Sequence, residues 1–303
     1  MESTAPHLQF TRILFSAKFQ EVIVLSKEFS LQRWDVRDGA RKLVQEQIFK
    51  EEIKIFPLDD DSFILLVVKA KRVEIWSWFL MEFLREFDLP EGGYGYVWDA
   101  LYLPRHQFLL AGGGHNPYYF IDLQSGAVTP AFDKVEEPSD FADFLSCNET
   151  ETMVVHCDTD QDHFFQIREI DWSRLRLRVI HRFDGTWRFH NDVLAWRPGA
   201  DQLVDVAHNK VTCYSVNLEK CERNWELDHR VFEGGEELEQ KRSGAQFFED
   251  ALYVASGQVL AQIVNGSVQR QWGLPAIVQD LAINPEGRIA YVAMKSGFIG
   301  IAI

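Results

Sequence analysis

The sequence predicts an all-β fold made of seven small antiparallel sheets in one body, and three observations carry that prediction. Short apolar runs rich in Val, Ile, Leu and Phe recur along all 303 residues, separated by turn-forming residues. These runs group into units of a first strand, a turn, a second strand, a polar interval and a third strand that ends in an acidic turn. The last apolar residue before the first turn of each unit is Phe15, Phe56, Leu103, Leu145, Trp196, Phe248 or Ile283, a mean spacing of about 45 residues. Seven units of that length use the whole chain, so residues 1–303 are expected to form one ring of four-stranded blades, a seven-bladed β-propeller.

Each unit follows from its residues. In the first, residues 13–15, 21–25 and 30–36 read as strands, and Arg37-Asp38-Gly39-Ala40 reverses the chain into an outer strand at 41–44. Asp bonds its local backbone there and Gly accepts positive φ. The second unit has strands at 52–56, 63–68 and 72–78, with residues 81–87 as its outer strand. Trp78, Phe79, Met81, Phe83 and Leu84 would also fit part of a helix face, but the phase of the repeat favours a strand. The third unit reads as 100–103, 107–111, 118–123 and 127–129, with its last turn at Gln124-Ser125-Gly126. The fourth begins near Phe141 and continues through 153–155, 163–167 and 175–179, and the fifth through 193–196, 202–206 and 211–216. The sixth has strands at 245–248, 251–254 and 258–263, followed by the hairpin signal Asn265-Gly266. The seventh runs through 280–283, the turn Asn284-Pro285-Glu286-Gly287, 289–292 and 298–303. It lacks a fourth strand of its own, so His7-Leu8-Gln9-Phe10 is expected to lie beside 298–303 and close the ring.

Leu31-Gln32-Arg33-Trp34-Asp35-Val36 before Asp38-Gly39, and Tyr119-Phe120-Ile121-Asp122-Leu123 before Ser125-Gly126, resemble the WD-repeat propeller family. Leu281-Ala282-Ile283-Asn284-Pro285-Glu286-Gly287-Arg288 is similar to the first strand and hairpin of such a blade. Other units carry Trp76-Ser77 or Ile170-Asp171 in place of Trp-Asp. The resemblance implies a rigid platform for macromolecular partners. It also implies Asp99, Asp192, Asp280 and, less regularly, Asp143 as the acids that orient backbone turns, whereas the family's histidine does not recur at a fixed offset.

Charge and motif content narrow the function. The formal net charge of -15 opposes capture by nucleic acid or an anionic membrane. The N-terminal segment lacks a secretory leader pattern and no apolar run is long enough to span a bilayer, which makes the cytoplasm the expected compartment. The four cysteines, at 147, 157, 213 and 221, have neither disulfide-scaffold nor zinc spacing and are expected as thiols. Gly112-Gly113-Gly114 belongs to a hairpin, since no phosphate loop and no nucleophile elbow accompany it. Asp59-Asp60-Asp61, and the group Asp158, Asp160, Asp162 and His163, offer oxygen ligands without calcium-loop spacing and read as solvated turns. His156, His190, His208 and His229 are possible proton-transfer groups that no linear motif assembles.

No catalytic residue, metal or cofactor is therefore expected, and the expected role is that of a nonenzymatic, monomeric scaffold for another protein. A propeller enzyme or small-ligand site in a central pocket is the competing class. Two surfaces stand out for interaction. The polar interval with Phe232, Glu233, Glu236, Glu237 and Glu239 would attract a basic partner, and Arg174, Arg176 and Arg178 at alternating positions would meet an acidic peptide or phosphate. Trp34, Trp76, Trp98, Trp196 and Trp272 are expected in cores rather than at interfaces, with Trp76 and Trp78 on one side of their strand.

Overall fold

A computed structural model describes residues 10–39, 41–45, 51–90, 97, 99–113, 116–132, 142–158, 164–184, 193–207, 210–228, 243–294 and 297–303. The first blade is β1 (Phe10–Ser16), β2 (Glu21–Ser26), β3 (Leu31–Asp35) and β4 (Arg41–Gln45). The second is β5 (Ile53–Pro57), β6 (Ser62–Val67), β7 (Arg72–Ser77) and β8 (Phe83–Asp88). The third is β9 (Asp99–Leu103), β10 (Phe108–Gly113), β11 (Asn116–Asp122) and β12 (Val128–Pro130). The fourth is β13 (Ala142–Cys147), β14 (Met153–Asp158), β15 (Phe164–Asp171) and β16 (Arg176–Asp184). The fifth is β17 (Val193–Trp196), β18 (Gln202–Ala207), β19 (Lys210–Val216) and β20 (Cys221–Asp228). The sixth is β21 (Ser243–Phe248), β22 (Ala251–Ser256), β23 (Val259–Val264) and β24 (Ser267–Gly273). The seventh has β25 (Val278–Asn284), β26 (Ile289–Met294) and β27 (Gly297–Ala302).

Every sheet is an antiparallel meander, and the first strand of each blade touches the first strand of the next, with β25 meeting β1. Seven blades thus close around a common axis. The middle strands explain the unbroken apolar runs: β2, β6 and β22 are buried at every position, because each blade is covered on both faces by its neighbours. The apolar clusters accordingly lie between blades. One holds Leu14, Ile23, Leu31, Phe63, Trp76, Trp78 and Met81 between blades one and two, so Trp76 and Trp78 share a side as expected. Trp34 and Trp196 are buried too, and Trp272 is partly buried in the cluster joining blades six and seven. Trp98 lies outside the described residues. Residues 83–88 form a strand and not a helix.

At the junction of blades seven and one, Phe15 stacks on Tyr291 with ring centroids 5.6 Å apart, and Trp34 meets Phe298 edge-on at 5.6 Å. Polar groups join them. The Ile13 amide donates to Asp280 Oδ2 at 3.0 Å, Arg12 lies 3.5 Å from Asp280 Oδ1, and Asn284 donates to Gln20 Oε1 at 3.2 Å. Asp280 therefore acts as an orienting acid across the seam. Gln246 repeats the device one blade earlier, accepting the Ile283 amide at 3.0 Å. Phe10 belongs to β1, where it faces Ser26, and not to a strand beside Phe298. His7, Leu8 and Gln9, the rest of the expected closing strand, lie outside the described residues, among which the seventh sheet has three strands.

Gly112 and Gly113 end β10 at a register shift. A Cβ on Gly112 would stand 2.6 Å from Tyr118 Cα, and Gly113 has φ of 83°, so close approach and a left-handed backbone together require the pair. Gly114 lies outside the described residues.

Candidate functional site

One rim of the ring carries the turns between first and second strands and those between third and fourth. In blades one, three, four and five the latter follow a common plan in which the last residue of the third strand, or in blade five the residue after it, caps the turn with its side chain. Asp35 accepts the Arg37 amide at 2.9 Å, Asp122 the Gln124 amide at 2.8 Å, Asp171 the Ser173 amide at 3.0 Å, and Asn217 the Glu219 amide at 2.8 Å. These bonds favour the carboxylate. The Arg37 guanidinium holds Asp35 far below the usual range, and the Ser125 and Ser173 hydroxyls lower Asp122 and Asp171. The turns so capped present mostly polar residues: Arg37-Asp38, Gln124-Ser125, Ser173-Arg174 and Leu218-Glu219.

Blade two departs from the plan. Ser77 replaces the acid, accepts the Leu80 amide at 3.2 Å, and leads into Trp78-Phe79-Leu80-Met81. Trp78 and Met81 turn inward, 2% and 0% exposed, while Phe79 and Leu80 stand outward at 57% and 54%. Met81 holds a left-handed φ of 53°, a conformation of measurable cost for a side chain of that size. Main-chain bonds from Ser77 to the Glu82 carbonyl, 2.8 Å, and from Met81 to the Ser77 carbonyl, 3.0 Å, keep it there. β8 continues the apolar surface. A register shift between Ile75 and Trp76 leaves Leu84 as an extra residue, and Phe83 and Leu84 are both exposed, at 48% and 55%.

The turn is braced from blade one. Arg33, ion-paired to Glu21 at 3.3 Å, donates to the Trp78 carbonyl at 3.2 Å and to that of Phe79, and its guanidinium lies 5.2 Å from the Phe79 ring. Burial raises the Glu21 carboxyl, an effect that Arg33 opposes. Phe19, in the first turn of blade one, packs 5.8 Å from Phe79, and Lys18 beside it pairs with Asp61. The Trp78 amide donates to the Asp61 carbonyl at 2.8 Å, which ties the Asp59-Asp60-Asp61 turn to the same rim. Among the described residues, the other exposed large apolar side chains are Val179 and Leu218, each alone on its blade. A group of four within six residues, Phe79 and Leu80 on a braced turn and Phe83 and Leu84 at the start of β8, is the feature that distinguishes this rim among the described residues.

A second cluster lies at the same rim between blades three and four. Buried Glu151 accepts the Arg105 amide at 2.7 Å and meets His106 Nδ1 at 2.8 Å, and the His106 ring stacks on Trp172 with centroids 3.6 Å apart. Trp172 Nε1 donates to the Glu151 carbonyl at 2.7 Å. Each partner is thereby held by another, and the group works as a clamp between blades. Nearby Cys147 is driven up by burial, then by Glu151, and burial pushes Cys221 up to about 12, so neither thiol is activated.

The residues singled out from sequence are distributed differently. Phe232, Glu233, Glu236, Glu237 and Glu239 lie outside the described residues. Arg174 sits in the turn after β15, while Arg176 and Arg178 lie on β16, so the three do not continue one strand face. Arg178 pairs with Glu169 at Nε, 3.0 Å, and Arg176 donates to the Pro130 carbonyl of blade three. Asp99 is buried on β9, Asp143 pairs with Cys157 in β13, and Asp192 lies outside the described residues. Asp158 ends β14 and His156 lies within it, whereas Asp160, Asp162, His163, His190, His208 and His229 lie outside the described residues. The apolar rim was visible in sequence only as strand or helix material; its exposure was not.

Among solved structures, the chain is similar to the Cps50 (Swd1) beta-propeller domain of Myceliophteria thermophila, with a TM-score of 0.73, 11% identity and full coverage of both chains. That likeness shows the fold alone, a β-propeller, and the described strands give it seven blades. No protein-family model and no curated protein matches the sequence.

Proposed function

We propose that this propeller is a nonenzymatic platform that binds another protein through the rim of blades one and two. The observation that carries the reading is the exposed group of Phe79 and Leu80, on a turn held by Trp78, Met81 and Arg33, with Phe83 and Leu84 at the start of β8. The four side chains expose on the order of 400 Å² of apolar surface, within the range of the largest patch on a typical monomer, which is often functional. Covering it would release about 10 kcal/mol before the costs of association; subtracting at least about 4 kcal/mol for those leaves about 6 kcal/mol, a contact of tens of micromolar from this side's area alone. Preorganisation adds to this, because the turn loses little freedom on binding.

The platform reading takes the chain as a monomer in the cytoplasm and requires no cofactor. The acidic interval 232–239 and the Arg176–Arg178 side of blade four are further contact surfaces that this reading allows. The test compares affinity capture from native cells with the wild-type chain and with a Phe79→Ser, Leu80→Ser variant of unchanged melting temperature. Loss of a reproducible set of partners from the variant is the expected result. Recovery of the same partners in the same amounts would move the interface elsewhere, and turnover of a defined substrate by the purified chain would replace the reading with an enzymatic one.

A further inference from the structure

Resting on that reading, we infer that the occupant of the blade-two rim is a short, basic segment of another protein with two large apolar side chains among its Lys and Arg residues. The apolar group supplies the contact for the anchors, and the charges around it select the flanks. Asp59, Asp60, Asp61, Glu82 and Glu86 are all exposed around the turn. Asp61 is fixed to it through its carbonyl on the Trp78 amide, and Glu82 through its carbonyl on the Ser77 amide. The cations nearby are already engaged. Lys18 pairs with Asp61, Arg33 with Glu21 and the turn carbonyls, Arg72 with Glu74 at 2.6 Å and with Glu86 at 3.5 Å, and Arg85 turns away to the Leu123 carbonyl and the Phe87 ring. Among the described residues no cation pairs with the carboxylates of Asp60 or Glu82, and Asp60 and Glu82 are exposed, so the apolar surface is bordered by negative charge on a chain whose net charge is -15. An acidic or neutral segment would meet repulsion or an unmatched field there; a basic one would not.

The probe is a phage-displayed library of random 16-residue peptides, selected on the full chain and counter-selected on the Phe79→Ser, Leu80→Ser variant. Enriched peptides are then synthesised and measured by fluorescence anisotropy. The expected result is enrichment of peptides with net positive charge and two large apolar residues. Their Kd should rise at least tenfold on the Phe79→Ser, Leu80→Ser variant and three- to tenfold on an Asp60→Asn, Glu82→Gln variant, and it should rise with NaCl. Neutral or acidic peptides that still lose binding on the Ser variant would overturn the charge assignment and leave the docking reading standing. Peptides that bind the Ser variant as well as the wild type would overturn the docking reading itself. Failure to enrich any peptide would reject a short linear segment. Sedimentation showing a dimer that the Ser variant abolishes would assign the surface to a second copy of this chain.

Discussion

Replacing Asp280 tests how the ring is held shut. Its carboxylate is largely buried, accepts the Ile13 amide at 3.0 Å from the far end of the chain, and faces Arg12 at 3.5 Å. In Asp280→Ala the buried Ile13 amide loses its acceptor, which costs about 2 to 3 kcal/mol. The half-exposed Arg12 pair adds no more than about 1 kcal/mol. A total near 3 kcal/mol, set against the unfolding entropy of a domain of this size, lowers Tm by about 5 °C. Asp280→Asn keeps an oxygen for the amide and loses only the charge, so its loss should be near 1 kcal/mol. Circular dichroism melts give the two Tm values, and native-state hydrogen exchange gives the place: Ile13 should lose protection before amides in β14 or β18. Equal losses for Ala and Asn, or an Ala variant within 1 °C of wild type, would refute the assignment of the seam to this bond.

Three further predictions concern other parts of the molecule. Glu151→Ala should destabilise by about 3 kcal/mol in urea unfolding, because it strips the acceptor from the Arg105 amide and from His106, and Glu151→Gln should recover part of the loss; equal effects would mean that packing rather than hydrogen bonding holds the clamp. Cys221, whose thiol stands at about 12, should resist alkylation of the folded chain at pH 8 and react on unfolding, as mapped by mass spectrometry. The unfolded thiol ionises from about 8.5, so its contribution to stability is complete below that pH and lost as pH climbs toward 12; fast native labelling at this position would contradict the burial. Asp35, depressed by Arg37, contributes stability that is present above pH about 4 and lost as pH falls toward its folded value. Asp35→Asn should flatten the acid limb of the stability profile, and an unchanged limb would show that other carboxylates control it.

The ring was legible because its grammar is local. Phe15, Phe56, Leu103, Leu145, Trp196, Phe248 and Ile283 each fall in the first strand of a blade, since each closes an apolar run before a turn signal. Runs such as residues 63–67 showed no alternation because both faces of β6 are covered. Alternation alone does not place the arginines on one face: the turn after β15 extends through Leu175, so Arg174 precedes β16 while Arg176 and Arg178 lie on it. The site was less legible because hydrophobicity does not report exposure. Phe79 and Phe83 have the same composition signal as Phe63 and Phe87, and only the bulge in β8 and the inward choice of Trp78 and Met81 separate exposed from buried. The His106–Glu151 contact spans 45 residues and two blades, and no spacing in the chain announces it.

On the inner strands Asp280 and Gln246 each accept an amide of the next blade, Asp280 from its place within β25 and Gln246 from Ile283, one residue before the last of β25. Residues 77–82 are a natural unit for transplantation: moved onto blade five in place of Val216 to Cys221, with an arginine supplied beneath, they would carry the adhesive spot to a new compass bearing. Lineages of such rings can diversify their contacts one hairpin at a time.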